Sequence, residues 1–426
     1  MHILIASPYL PWPMTEGGRV AQYRTFEALR DACTFTLVVP IYSLEEEINA
    51  KKFAETFSNI RVKPVRCFQI IPPPTLRTRA RSFMGRLSRK LFPPPPSPPA
   101  KPVEAGPFYP FYCLNPDFLR TIEEEFVKGC DIFQAEFADM LTLGPLMAGR
   151  VPSLFVHHQL HFIYARRFME ASGSDINARY INERIILEEA IFLGSFDSAI
   201  VFSEVDRRAL KEFCPQLEVN VSPFPSPEEP VPAVPPFDKP VRHFVFVASE
   251  SHRPNADGLS WFMKNVWPEI KSRLPDASIE VIGKWSLPAQ ASLPNHGDIR
   301  FAGFVSDLGR ALQNKIMIVP VWVGSGIRTK ILAAWSAGCP VVATSVGSEG
   351  LPGKSGEHFI AADDAPAFAS ACIELSQNLN KLSRIAANGL ELVQKHYSLA
   401  AVRRTRLEIY EKLLAKKKAE ILKAGS

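Results

Sequence analysis

Residues 324–351, GSGIRTKILAAWSAGCPVVATSVGSEGL, decide how the rest of the chain is read. The run opens on Gly324-Ser325-Gly326, a small-residue turn where backbone can approach a ligand and leave its amides free. Ile327, Ile331, Ala334, Trp335 and Ala337 then recur at helical spacing, which predicts a helix from about Ile327 with Arg328 and Lys330 in its first turn. Cations are out of place there, because the macrodipole already makes that end positive. A diphosphate at the helix N-terminus would satisfy the dipole, the amides and both side chains together. An ordinary glycine-started helix with two solvated cations is the plainer alternative. Gly338 stops the helix, and CPVVAT reads as a short buried strand. The spelling excludes a P-loop, which ends in GK[ST], and the GxGxxG dinucleotide fingerprint.

Working outward, short apolar runs alternate with longer helical patterns, the mark of parallel α/β architecture. HILIAS, TFTLVVP, IRVKPV, DIFQAE, PSLFVH and SAIVFS read as strands of a first unit. Helices between them start near Gly18, Leu44, Pro116, Ala138, Leu160 and Glu204. Prolines crowd VSPFPSPEEPVPAVPPFDKP, Val221 to Pro240, which predicts an interdomain linker. The rhythm restarts with HFVFVAS, ASIEVIG, IRFAGF, KIMIVPV, CPVVAT and EHFIAA. The expected organisation is a first domain over 1–222, a linker over 223–240, a second domain over 241–397 and a terminal helix over 398–426 with Ser398 as N-cap. Two doubly wound units place a cleft between their carboxyl strand ends, where ligands bind.

The 426 residues suffice for two domains, and 46% hydrophobic with 22% charged residues is a globular composition. No apolar run approaches the roughly 20 residues of a membrane span, and the N-terminus reads as a strand rather than a secretory signal. Seven scattered cysteines without a CxxC pair read as reduced thiols of a cytoplasmic protein, with no metal site. A net charge of +5 is too modest to imply nucleic acid.

Between Glu55 and Glu104 there is no acidic residue. Leu76, Ala80, Phe83, Met84, Leu87 and Leu91 recur there at helical spacing among Arg77, Arg79, Arg81, Arg86, Arg89 and Lys90. This basic, proline-rich insertion, residues 72–107, predicts either a helix packed on its own domain or an amphipathic helix over 76–91 on an anionic membrane surface. Each basic residue near such a surface contributes about 1 kcal/mol. Gly17-Gly18 follow the first strand and precede the first helix, the place for a loop whose amides face the cleft.

The segment 324–351 resembles the donor-binding run of retaining GT-B glycosyltransferases of family 4, in the branch reading roughly GSGxRxKILEAMAAGxPVVSTxxGAEGL. The match includes Gly324, Gly326, Arg328, Lys330, Ile331, Leu332, Ala334, Gly338, Pro340, Val341, Val342, Gly347, Glu349 and Gly350. The resemblance implies a GT-B fold and a retaining, metal-independent transfer from a nucleotide diphosphate sugar. The acceptor would be a glycan or a lipid-linked acceptor in cell-surface polysaccharide synthesis, and the enzyme would be cytoplasmic or peripheral on the inner face of the cell membrane. The donor is a substrate, and no cofactor is implied. Ser249, Asn255, Gly324, Ser325, Gly326, Arg328, Lys330, Glu349 and Gly350 become donor-binding candidates. Gly17, Gly18, Arg19 and Glu136 fall on the acceptor side. His157 and His158, leaving a strand at its carboxyl end, are candidates to hydrogen-bond a sugar hydroxyl together with the catalytic cations. Spacing does not tell which histidine faces the cleft. Ala333 departs from the pattern, standing where the family has the glutamate that holds the ribose. Pro223 to Pro227 replace a PNGVD run. A binding or scaffold partner in glycan assembly is the competing expectation, resting on those two departures. The retained Arg328, Lys330 and glycine turn favour the enzyme, and no DxD sequence suggests a metal-dependent GT-A alternative.

Overall fold

The computed structural model describes residues 1–14, 16–67, 114–172, 176–324 and 326–424. The insertion at 72–107, with its 76–91 stripe, and Ser325 lie outside these residues.

Two parallel sheets organise the chain. The first has seven strands in the order β3-β2-β1-β4-β5-β6-β7. They are β1 (His2–Ala6), β2 (Thr34–Ile41), β3 (Ile60–Arg66), β4 (Ile132–Glu136), β5 (Ser153–Val156), β6 (Ser198–Val201) and β7 (Glu218–Val221). The second has six, in the order β10-β9-β8-β11-β12-β13. These are β8 (His243–Val247), β9 (Ser278–Ile282), β10 (Ile299–Gly303), β11 (Ile316–Val319), β12 (Val341–Ala343) and β13 (Ile360–Ala361). Every residue of β4, β5, β6, β11 and β12 is buried, because helices cover both faces of each sheet. Both sheets reverse strand order beside their first strand, between β1 and β4 and between β8 and β11. Loops at the carboxyl ends of those strands therefore splay apart and leave a crevice.

Residues 222–242 contain no helix or strand and carry the chain between the sheets. Their prolines supply few amides, yet the segment is tied at both sides. Arg24 Nε donates to the Ser226 carbonyl at 3.2 Å from the first unit, and Val231 N–H donates to the Ser336 carbonyl at 2.9 Å in the second. The chain crosses back after helix Leu379–His396. Ser398 Oγ accepts from Ala401 N–H at 3.4 Å and starts the helix Leu399–Ala424. Val402, Arg406, Ile409, Tyr410 and Leu413 form its buried stripe. That stripe lies on the first sheet, where Tyr410 donates to Gln134 Oε1 at 2.8 Å and Arg403 to the Ala28 carbonyl at 3.4 Å. At the second crossing, Ser226 N–H donates to the Tyr397 carbonyl at 2.9 Å. The outgoing and returning strands of chain thus touch. Among the described residues no helix is long and apolar enough to cross a membrane.

Candidate active site

The loop after β11 reaches the crevice through its glycines. Gly326 takes φ +75°, a left-handed conformation that favours glycine, and a Cβ there would stand 3.2 Å from the His158 carbonyl of the first unit. At Gly324 a Cβ would meet the Arg328 guanidinium at 2.6 Å. The helix begins at Thr329, two residues later than the apolar spacing predicts. Arg328 precedes it with extended backbone, φ −82° and ψ 91°, and folds back so that Nη1 donates to the Gly326 carbonyl at 2.9 Å. That turn costs the helix its first two expected residues. Lys330 stays in the first turn, donating to Asn255 Oδ1 at 2.9 Å and lying 4.9 Å from the Phe246 ring. The other end closes with Gly338 at φ +66° and Cys339 N–H donating to the Ala334 carbonyl at 2.8 Å, a Schellman motif.

Burial and mutual repulsion make protonation costly for the basic groups at this helix start. Burial, reinforced by Arg328, pushes the Lys330 ammonium down to about 7. Burial also pushes the Arg328 guanidinium down; Arg167 adds to the effect, while Glu349 and Asp206 oppose it. Burial in the cleft wall, with repulsion from Lys330 and Arg328, pushes the His252 imidazole down to about 4, although the residue keeps an open face to water. Three basic groups therefore converge on one helix N-terminus, where a diphosphate would lower the energy of all. His252 was not legible as a candidate. Its only sequence signal is its place between β8 and the helix Arg253–Asn265.

The first unit supplies the opposite wall. Gly17 starts helix Gly17–Ala28, and a Cβ there would meet Thr329 Cγ2 at 3.2 Å. A Cβ on Gly18 would strike Phe137 at 2.6 Å. Phe137 itself holds φ +68°, a strained conformation for a phenylalanine, and stacks on His158 with ring centroids 3.9 Å apart. Arg19 is held beside this wall, since the Tyr9 ring it covers packs on Phe137 at 4.5 Å. It lies over the Tyr9 ring at 4.6 Å and donates to the Leu10 carbonyl at 2.7 Å, shaping its own loop.

The two histidines separate. His157 turns into the core, its side chain 1% exposed, with Nε2 2.7 Å from Glu189 Oε1. Glu189 also accepts from the amides of His161 at 3.2 Å and Phe162 at 2.7 Å, capping helix His161–Ser172 from a neighbouring helix. The expectation for His157 at the cleft is thus corrected, since strand alternation gives it to the core. His158 points the other way, Nε2 3.0 Å from Glu136 Oε2, and Glu136 also accepts from Gln134 Nε2 at 2.6 Å. Burial opposes ionisation of Glu136, but His158, Arg406 and Gln134 hold its carboxyl below the usual range. Burial keeps His158 neutral by pushing its imidazole down.

Glu349, expected at the donor, is held beside the glycine loop by an ion pair from the first unit. Arg167 of helix His161–Ser172 grips both its oxygens, at 2.7 and 2.8 Å, and also donates to the Gly324 carbonyl. Gly350, at φ +82°, leaves room for Ser203 of the first unit, whose Oγ would be 3.1 Å from a Cβ. Ser249 lies at the carboxyl end of β8, with Oγ accepting from Lys284 N–H at 3.4 Å. Ala333 is 1% exposed within the core.

Two Rossmann-like units facing across a cleft, with a cationic helix start on one wall, define a GT-B glycosyltransferase. The glycosyl transferases group 1 domain matches residues 241–378. The chain is 30% identical over 410 residues to an uncharacterized 44.6 kDa protein in the cps region of Klebsiella pneumoniae, covering 93% of this chain and 96% of that protein. It belongs to the glycosyl transferases group 1 family. Sucrose-phosphate synthase from Thermosynechococcus elongatus shares the fold with TM-score 0.68 at 15% identity, over 98% of this chain and 100% of that one. Anabaena HepE in complex with UDP and glucose does so with TM-score 0.65 at 11% identity, over 97% and 100%. The pneumococcal O-GlcNAc transferase GtfA in complex with UDP and GlcNAc does so with TM-score 0.63 at 13% identity, over 97% and 99%.

Proposed function

We propose that the chain transfers a sugar from a nucleoside diphosphate sugar to a glycan or lipid-linked acceptor, retaining anomeric configuration and needing no metal. The observation that carries this reading is the half-buried pair Arg328 and Lys330 at the start of helix Thr329–Ser336, with the Lys330 ammonium down at about 7. Negative charge developing on the departing diphosphate would fall on Arg328, Lys330 and the helix amides. Such charge neutralisation does for the leaving group what a metal ion does in other transferases. The leaving phosphate takes the proton of the acceptor hydroxyl on the same face, and His158 accepts a hydrogen bond from that side. Bound UDP in HepE and GtfA supports a nucleotide diphosphate in the cleft. The relative from a cps region supports a role in cell-surface polysaccharide synthesis. Insertion 72–107 would bring the enzyme to the cytoplasmic membrane face if its basic stripe meets anionic lipid.

A thermal-shift panel with UDP, GDP, ADP and CMP tests the reading. One diphosphate should raise the melting temperature, the monophosphate CMP should do less, and Lys330→Met should abolish the shift. No shift from any diphosphate would overturn donor binding. A shift without turnover on any supplied sugar nucleotide would return the scaffold role that Ala333 suggests.

A further inference from the structure

Arg406 is among the largest fully buried side chains of the described residues, at 2% exposure, in the first third of the helix that returns from the second unit to the first. Its Nε and Nη1 have no hydrogen-bond partner among the described residues. A guanidinium is seldom buried with donors idle, because desolvation is then offset by neither hydrogen bonds nor water. Its surroundings supply another reason for its presence. Phe202 lies under the guanidinium at 5.9 Å, and the His158 ring is 5.3 Å from the same Phe202. Glu136, 4% exposed, is the carboxylate whose ionised state Arg406 favours, with Tyr410 beside both. Tyr410 donates to Gln134, and Gln134 donates to Glu136, so the helix and the strand end are joined by a continuous buried chain.

His158 stands at the cleft end of this chain. With Glu136 ionised, Nε2 must carry the proton it donates across 3.0 Å. Nδ1 is then a bare acceptor, and it has no partner among the described residues. We propose that Arg406 is a positioning residue for sugar transfer: packed on Phe202 behind the Tyr410–Gln134–Glu136 chain, it fixes the His158 tautomer whose buried, unpartnered Nδ1 is left to accept from an acceptor hydroxyl. This rests on the reading of His158 as the hydrogen-bond acceptor on the acceptor side. The arrangement has the logic of a carboxylate that holds a catalytic imidazole in one tautomer, with a cation behind the carboxylate. A protonated Glu136 would instead donate to Nε2, leave the proton on Nδ1 and turn an acceptor into a donor. The charged and titratable groups facing His158 are Glu136 from β4, Arg406 from the terminal helix and the adjacent His157. Tyr410 and Tyr9 face Glu136, and both are pushed up by burial, so they remain neutral.

The test is nitrogen-15 spectroscopy of the full-length protein with labelled histidine, the His158 signals assigned by their loss in His158→Asn. Wild type should show Nε2 protonated and Nδ1 bare. Removing the cation with Arg406→Met should raise the His158 titration by roughly one pH unit and move proton density to Nδ1. Arg406→Lys should restore the wild-type titration. Arg406→Gln makes the same charge change if the methionine variant does not fold. A wild-type His158 with its proton on Nδ1 would overturn the proposal. So would a folded Arg406→Met or Arg406→Gln with unchanged titration. These readouts need no substrate, so their failure leaves the nucleotide test of the donor site standing, and the converse holds.

Discussion

Lys330 holds its place in the fold at a cost that pH should reveal. Its folded value of about 7 lies below its ordinary value of 10.5, so the unfolded chain binds more protons between those limits. Stability is therefore penalised in full below about pH 7 and recovers as pH rises toward 10.5. Lys330→Met should melt higher than wild type at pH 6 and converge with it at high pH, as pH-dependent calorimetry would show. Bound diphosphate restores the proton, so binding near pH 8 should take up close to one proton, visible as buffer-dependent binding enthalpy. An enthalpy independent of buffer would place the anion away from Lys330. At this scale Arg328 and Lys330 were legible because two cations at a helix start are locally anomalous. Arg167, Glu189 and Arg406 were not, because each acts across a gap in sequence that no local period records.

At the level of elements, the strands were legible as apolar runs, and twelve of those runs fall within the thirteen strands of the two sheets. The missed strand, β7, has four residues and abuts the prolines that marked the linker. Helix Ile176–Leu193 escaped because Ile176, Tyr180, Leu187 and Ile191 are exposed apolar residues opposite its buried ones, which blurs the amphipathic period. The region near Ala138 forms a 3-10 helix rather than an α-helix. Helix His161–Ser172 borrows the Glu189 carboxylate for its first amides. Glu189→Gln keeps the shape and removes the charge, so it should cost about 2 kcal/mol and speed amide exchange in that helix. Unchanged melting and exchange would show that the helix is held by packing alone. Because that helix presents Arg167, the same variant should also loosen the Arg167–Glu349 contact.

For the whole molecule, the two-unit architecture followed from alternation and the proline tract, whereas the degree of closure is a tertiary fact. The units meet at Gly17 on Thr329, Gly326 on His158, Gly350 on Ser203 and Arg167 on Glu349. Glycine at three of these contacts lets backbone approach where any side chain would hold the walls apart. The Arg167–Glu349 pair is partly exposed, so Arg167→Met should weaken closure by about 1 kcal/mol. Small-angle scattering should then give a larger radius of gyration for the unliganded variant than for wild type. An unchanged scattering curve would assign closure to the glycine contacts.

The hydrogen bond from Ser226 to Tyr397 gives this closure its geometry. Two covalent passages fastened to each other at one place behave like the spine of a book. Sliding and twisting of one sheet past the other would tear both passages, whereas swinging about the spine disturbs neither. The terminal helix lies beyond the spine and is anchored on the first cover through Tyr410 and Arg403, so a swing of the second unit leaves the helix that carries Arg406 in its seat. The hinge and the buried guanidinium thus sit on opposite sides of one fastening, and the cleft can open without unseating the wall that His158 belongs to.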